Sequence, residues 1–249
     1  MADIKKLRFG NREFKADVRY LSDMKDILYD KEWFYSIDNP ENMAIYLMYR
    51  DLFMDEDDRD IIKKNNLRYD ITIIPPFNLG CEYVKTMGHF HPNIPGSSLS
   101  FTEIYEVLEG RAHYLLQKNK NDDVLDVVLF EAKKGDKVII PPNYGHITIN
   151  PTKDELKMAN WVSNAFSSEY EKIKKMGGGA YFELVDNTFI KNKNYDNLPE
   201  LRKLRTKDFN DFGIKKGKDM YLIIREDPEL LEFLNKPQDY IDIFDTILI

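Results

Sequence analysis

Residues 138–150 read Val138-Ile139-Ile140-Pro141-Pro142-Asn143-Tyr144-Gly145-His146-Ile147-Thr148-Ile149-Asn150. Two β-branched runs flank a Pro-Pro turn, which cannot donate to a sheet ladder and so separates two strands. The same grammar extends outward. Cys81 to Thr86 precedes Gly88, Glu103 to Leu108 precedes Glu109-Gly110, and His113 to Gln117 precedes the polar Lys118 to Asp123. Val124 to Phe130 is followed by Lys133-Lys134-Gly135-Asp136. Short strands at this spacing, with no helical period between them, predict an antiparallel sandwich or barrel.

The flanks are less regular. Met1 to Tyr20 is charged and reads as a terminal strand or arm, Met43 to Phe53 as a buried strand, and Tyr69 to Ile74 as a strand ended by Pro75-Pro76. The acidic run Asp55 to Asp60 reads as a solvated loop. Ser168 and Glu171 form a capping-box pattern for a helix that leaves at Gly177, and Tyr181 to Val185 and Thr188 to Lys191 read as strands. After Asn197-Leu198-Pro199 the character changes. Asp227-Pro228 marks a helix start with Asp227 as N-cap, Pro237 closes that helix, and Ile241, Ile243, Ile247 and Ile249 alternate as in a half-buried strand. We therefore divide the chain into residues 1–199 and an extension over 200–249.

Composition narrows the function. The 249 residues carry 36 Lys plus Arg against 43 Asp plus Glu, a net charge of −7 that suits no phosphate-backbone partner, so nucleic acid is not expected. One Cys forms no intrachain disulfide, and no secretory signal or membrane-spanning apolar run is visible, so a cytoplasmic chain without a membrane role is expected.

Three of the four histidines make one pattern. His89 and His91 form a His-x-His pair after a strand, and residues two apart on extended backbone share a face. His146 follows the Pro-Pro turn on a later strand, and Glu103 opens the strand between them. Three imidazoles and a carboxylate suit a first-row divalent ion such as Fe, Mn, Ni, Co or Zn. Glu106 rivals Glu103, but the two have opposite parity, so only one faces the ligands. His113 is read as structural.

The order Gly-His-x-His, a Glu opening a strand, Glu103 to Gly110, then Pro-Pro-x-x-x-His resembles the two metal motifs of the cupin superfamily. With Leu21-Ser22-Asp23-Met24-Lys25, Lys85-Thr86-Met87-Gly88 and Leu115-Leu116-Gln117 it resembles, more narrowly, the cupin-type phosphoglucose isomerases, from about residue 15 to about 197. The resemblance implies an all-β double-stranded β-helix (jelly-roll barrel) with a few short helices. It implies one divalent metal per subunit, iron before Mn, Ni, Co or Zn, on His89, His91, Glu103 and His146. It further implies a sugar-phosphate cradle at Tyr46, Thr72, Thr86 and Gly88, to which Lys85 adds charge only if its opposite parity allows. Tyr170 matches a family Tyr, while Trp161 and Val162 stand where the family tends to carry another. The loop from His91 to Glu103 is longer than the family's.

The implied reaction interconverts glucose 6-phosphate and fructose 6-phosphate in glycolysis and gluconeogenesis, with Glu103 as the base and Tyr170 assisting ring opening or oxygen protonation, in a homodimer. Metal-assisted hydride shift is the alternative chemistry. The competing functions are another cupin enzyme, such as a dioxygenase, and a non-catalytic sugar- or metal-binding module.

Overall fold

The computed structural model describes residues 6–121 and 123–248. Its strands are β1 (Lys6–Phe9), β2 (Arg12–Lys15), β3 (Asp17–Tyr20), β4 (Ala44–Tyr49), β5 (Leu67–Ile74), β6 (Asn78–Leu79), β7 (Glu82–Tyr83), β8 (Glu103–Glu109), β9 (Arg111–Lys120), β10 (Asp123–Lys133), β11 (Lys137–Ile140), β12 (Tyr144–Ile149), β13 (Leu156–Ser163), β14 (Tyr181–Glu183), β15 (Phe189–Lys191) and β16 (Arg202–Arg205). One sheet has the order β11-β8-β13-β5-β4-β3 and a second the order β12-β9-β10-β16. Pairing is antiparallel except between β10 and β16. His146 and Thr148 of the second sheet share a pocket with Glu103, Tyr105 and Thr72 of the first, so the sheets close on each other. This is the cupin-type jelly roll that the motifs imply.

The larger sheet is covered on both faces. Along β8 and β13 almost every residue is buried, which is why their sequences lack clean alternation. Inward residues build the pocket. Outward ones meet the chain beyond residue 200. The Trp161 indole N–H donates to the Met220 carbonyl at 3.0 Å, and Tyr221 packs on Tyr69 and Trp161 at 4.9 and 5.8 Å between ring centroids. Leu231, Phe233, Leu234 and Phe244 belong to the same apolar cluster as Tyr69 and Trp161.

Several local expectations are corrected. The acidic run is not a loop: Asp55 caps helix α1 (Glu56–Lys64) by accepting from the Asp58 N–H at 2.9 Å, and acidic residues in a first turn face the positive end of the helix dipole. Asp58 is only 2% exposed and bonds to the Arg225 guanidinium at 2.6 Å and to the Tyr221 hydroxyl at 2.5 Å. The capping box fails, because the helix spans Glu171–Lys175 with Tyr170 at its N-cap position, and Ser168 lines the pocket instead. Asp227 makes no side-chain cap; Pro228–Leu234 is a 3-10 helix, and Pro237 opens another instead of ending the helical run. The terminal isoleucines do not form a strand. Ile241–Ile247 is a helix, since Phe244 and Ile247, three apart, are the buried pair and Ile241 is exposed. Ile249 lies outside the described residues. Of Cys81 to Thr86, only Glu82–Tyr83 is a strand.

The Asp58–Arg225 tie carries a pH signature. Burial works against the Asp58 charge, but the Arg225 and Tyr221 bonds outweigh it and hold the carboxyl below its ordinary pKa of 3.8. Its stabilisation is therefore present above that value and fades as pH falls below it. We expect Asp58→Asn to cost about 2 kcal/mol at pH 7, the scale of charged hydrogen bonds. The gap from wild type should shrink below pH 3.8. Urea denaturation at the two pH values measures this, and an unchanged midpoint at pH 7 would dismiss the tie.

Candidate active site and metal centre

Segment 84–89 lies along β12. Thr86 N–H donates to the Thr148 carbonyl at 2.8 Å, and His89 and His146 exchange backbone hydrogen bonds at 3.2 and 3.0 Å. The register differs by one residue between the Lys85–Ile149 and His89–His146 bridges, so the 84–89 side carries a bulge. Gly88 sits there at φ 75°, a conformation that glycine adopts without strain. The bulge resets parity, so that Thr86 and His89, three apart, both reach the pocket, opposite Thr148 and His146. Lys85 points away from it: its ammonium pairs with Glu82 at 2.5 Å and lies 4.6 Å from the Phe182 ring.

The metal set converges. Donor atoms of His89, His91, Glu103 and His146 lie within 4.8 Å of one another, near the span of ligands at about 2.0–2.2 Å from one ion. His91 Nδ1 is 3.0 Å from the Phe101 carbonyl, which only accepts, so Nδ1 carries the proton and Nε2 turns inward as an acceptor. That Nε2 meets His89 Nε2 at 3.3 Å and Glu103 Oε2 at 3.3 Å, and His146 Nε2 meets the same oxygen at 3.2 Å. Glu103 Oε2 is buried without a well-formed hydrogen bond among the described residues. Buried lone pairs facing one another are satisfied by a cation, so this donor set fits a divalent transition ion.

The electrostatics agree. Burial, then the charges of His146 and His91, push His89 well below its ordinary pKa, and burial lowers His146 against the pull of Glu103. Neutral imidazoles are the ligand form.

The residue pattern 18–200 matches the model of the glucose-6-phosphate isomerase (GPI) family. The chain belongs to that family. A glucose-6-phosphate isomerase of Thermococcus litoralis is 29% identical over 136 residues, 55% of this chain and 63% of that protein. That of Pyrococcus furiosus is 28% identical over 136 residues, 55% and 64%. That of Thermococcus onnurineus is 27% identical over 182 residues, 70% and 86%. The chain thus spans less than two thirds of the first two relatives. A solved oxalate oxidase structure aligns at 17% identity and a TM-score of 0.33, over 42% of this chain and 46% of that one, too remote to argue from.

Within this GPI-family chain, Tyr46, Thr72, Thr86, Gly88, His89, Glu103, His146 and Tyr170 line one pocket, with the His91 Nε2 reaching its metal set from behind. Glu106 is elsewhere: on the outer face it pairs with Lys137 at 3.1 Å and accepts from the Met220 N–H at 2.8 Å. His113 also lies off the site, 2.8 Å from the buried Glu183 carboxylate. Trp161 faces outward, and its neighbour Asn160 fronts the pocket.

The pocket also holds Arg50, Arg68, Asp70 and Asn160, which the motifs did not suggest, and Tyr105, which lies in a matching stretch that implied no role for it. A signal existed. Arg68, Asp70 and Thr72 alternate along β5 with the buried Leu67, Tyr69 and Ile71, and a polar face on a core strand points at a site.

A Cβ on Gly88 would lie 2.4 Å from Ile147 Cγ1 at a φ unfavourable to other residues. Gly88→Ala should therefore destabilise the bulge by at least about 1 kcal/mol. By shifting His89 it should weaken Mn²⁺ or Zn²⁺ binding roughly tenfold. Metal titration followed by calorimetry tests this, and unaltered affinity would detach the bulge from the metal centre.

Proposed function

We propose that the chain interconverts glucose 6-phosphate and fructose 6-phosphate with a divalent transition ion, iron first among the candidates, on His89, His91, Glu103 and His146. The observation that carries the reading is the buried, poorly bonded Glu103 oxygen among three inward imidazole nitrogens, in a chain of the GPI family. Held by those four residues, such an ion would supply Lewis acidity to the sugar's oxygens.

The residues perform the remaining work. Glu103 takes the C2 proton of the open-chain aldose; the C–H electron pair forms the C1–C2 double bond, and the carbonyl pair moves onto O1. A proton then passes from the O2 hydroxyl to O1, the freed O2 pair forms the C2 carbonyl, and the C1–C2 π pair takes the proton back from Glu103 at C1. The Tyr105 hydroxyl lies 3.0 Å from His146 Nε2, and burial raises its pKa well above the usual phenol value, so it keeps its proton beside the reacting oxygens. Tyr170, whose ring lies 5.5 Å from that of His89, assists ring opening or oxygen protonation.

The cradle has the right polarity. Tyr46 accepts from the Met87 N–H at 3.3 Å and Thr86 from the Thr148 N–H at 3.0 Å. A backbone donor thus occupies one lone pair on each hydroxyl, leaving its O–H to donate to phosphate oxygens. A homodimer and a place in glycolysis or gluconeogenesis complete the proposal.

A coupled assay for glucose 6-phosphate formed from fructose 6-phosphate tests the reading. Activity should vanish with chelator and return with Fe²⁺ or Mn²⁺. Glu103→Gln, compared per bound metal ion, should lower kcat at least about tenfold, the low side of a general-base contribution. Undiminished turnover would remove Glu103 from proton transfer, and full activity without metal would refute the metal role.

A further inference from the structure

The two pocket arginines are unequally satisfied. Arg68 is committed to structure: its Nε donates to both oxygens of the buried Asp70 at 3.1 and 2.9 Å, and Asp70 Oδ1 also accepts from the Asp51 N–H at 3.0 Å. Arg50, one step beyond the Tyr49–Ile71 pair and so beside Asp70, has weaker partners. Its Nη2 contacts the Met48 thioether at 3.2 Å, and its Nε lies 3.3 Å from Asp17, whose side chain is 68% exposed. A thioether is a poor acceptor, and a pair with a solvated carboxylate contributes little.

Direction matters as much as satisfaction. Its contact with Met48 keeps the guanidinium at the pocket that Met48 lines together with Thr72, its partner across β4 and β5. Tyr170 lines the same pocket as Arg50, and Tyr46 stands two strand positions beyond Met48 on the same face. The Arg50 fork therefore borders the hydroxyl cradle.

We propose that Arg50 is the phosphate-binding cation of this pocket, which makes it specific for phosphorylated over neutral sugars. The inference rests on the sugar-phosphate reading above. Chemically it fits, because a guanidinium presents two parallel N–H donors to phosphate oxygens, and exchanging a thioether for an anion costs it little. It also answers a charge problem. A chain of net charge −7 repels a dianionic substrate at long range, so attraction must be local.

The test uses the metal-loaded full chain. Arg50→Met should raise the KM for fructose 6-phosphate at least about tenfold, equivalent to about 1.4 kcal/mol, with a smaller change in kcat. It should weaken calorimetric binding of inorganic phosphate by a similar factor. Arg50→Lys, a point charge without the fork, should recover part of the loss. Arg50→Gln, which keeps a hydrogen-bonding side chain beside Asp70 without the charge, is the second variant should Arg50→Met fail to fold. It should lose phosphate binding too. Wild-type phosphate affinity in either folded variant would overturn the proposal. Should the wild-type chain bind phosphate through Arg50 yet fail to isomerise fructose 6-phosphate, the reaction assignment falls while the anion site stands.

Discussion

The pairing of His89 with His146 across the edge of the smaller sheet is the constraint on which the site depends. Each donates its backbone N–H to the other's carbonyl, so the two imidazoles are held at 4.4 Å between ring centroids before any ligand arrives. The one-residue bulge at Gly88 makes that pairing compatible with the Thr86–Thr148 pair beside it. Without the bulge, strand parity would turn either Thr86 or His89 out of the pocket. The proposed metal set and phosphate cradle are thus coupled through one backbone irregularity. Placing ligands on paired strands also limits how far they move, which a metal centre needs to keep its geometry.

Charge within the pocket is arranged by the same economy. Glu103 is buried with two imidazole nitrogens 3.2 and 3.3 Å from its Oε2, a cluster of facing lone pairs that a bound cation would neutralise. Asp70, also buried, has its pKa raised by burial, and the Arg68 bonds work against that rise. A row of polar side chains follows from strand register: Asp70 pairs with Asn160, which pairs with Tyr105, whose hydroxyl meets His146. The cationic end of that row is Arg50. Attraction for an anion therefore comes from a few positioned groups while the chain as a whole stays acidic.

Legibility in the sequence followed period and chemistry. His89, His91, His146 and Glu103 could be read because rare residue types recur at strand spacing, and turn signals between them separate the strands. Tyr170 and the cradle came only through resemblance. Arg68, Asp70 and Asn160 escaped because polar residues in mostly buried strands look incidental until register aligns them, and Arg50 lies just past the end of β4. The extension misled differently. Its isoleucines alternate, but Phe244 and Ile247 bury at helical spacing, and tertiary contacts decided between the two periods.

That extension bears on the site through the sheet it covers. Trp161 and Ile104 face outward beside Asn160 and Glu103, which face inward, so each outward contact fixes the strand that carries an inward functional group. Glu106, one residue past Tyr105, accepts from the Met220 N–H while Lys137 neutralises it. The Thr102 hydroxyl, next to Glu103, donates to the Phe233 carbonyl at 3.0 Å. The chain beyond residue 200 therefore grips β8 on both sides of the carboxylate that the proposed chemistry uses. Strand β8 cannot slide without breaking those bonds. A one-residue slip would exchange Glu103 for its outward neighbours, so packing on the outer face protects the parity on which the inner face depends.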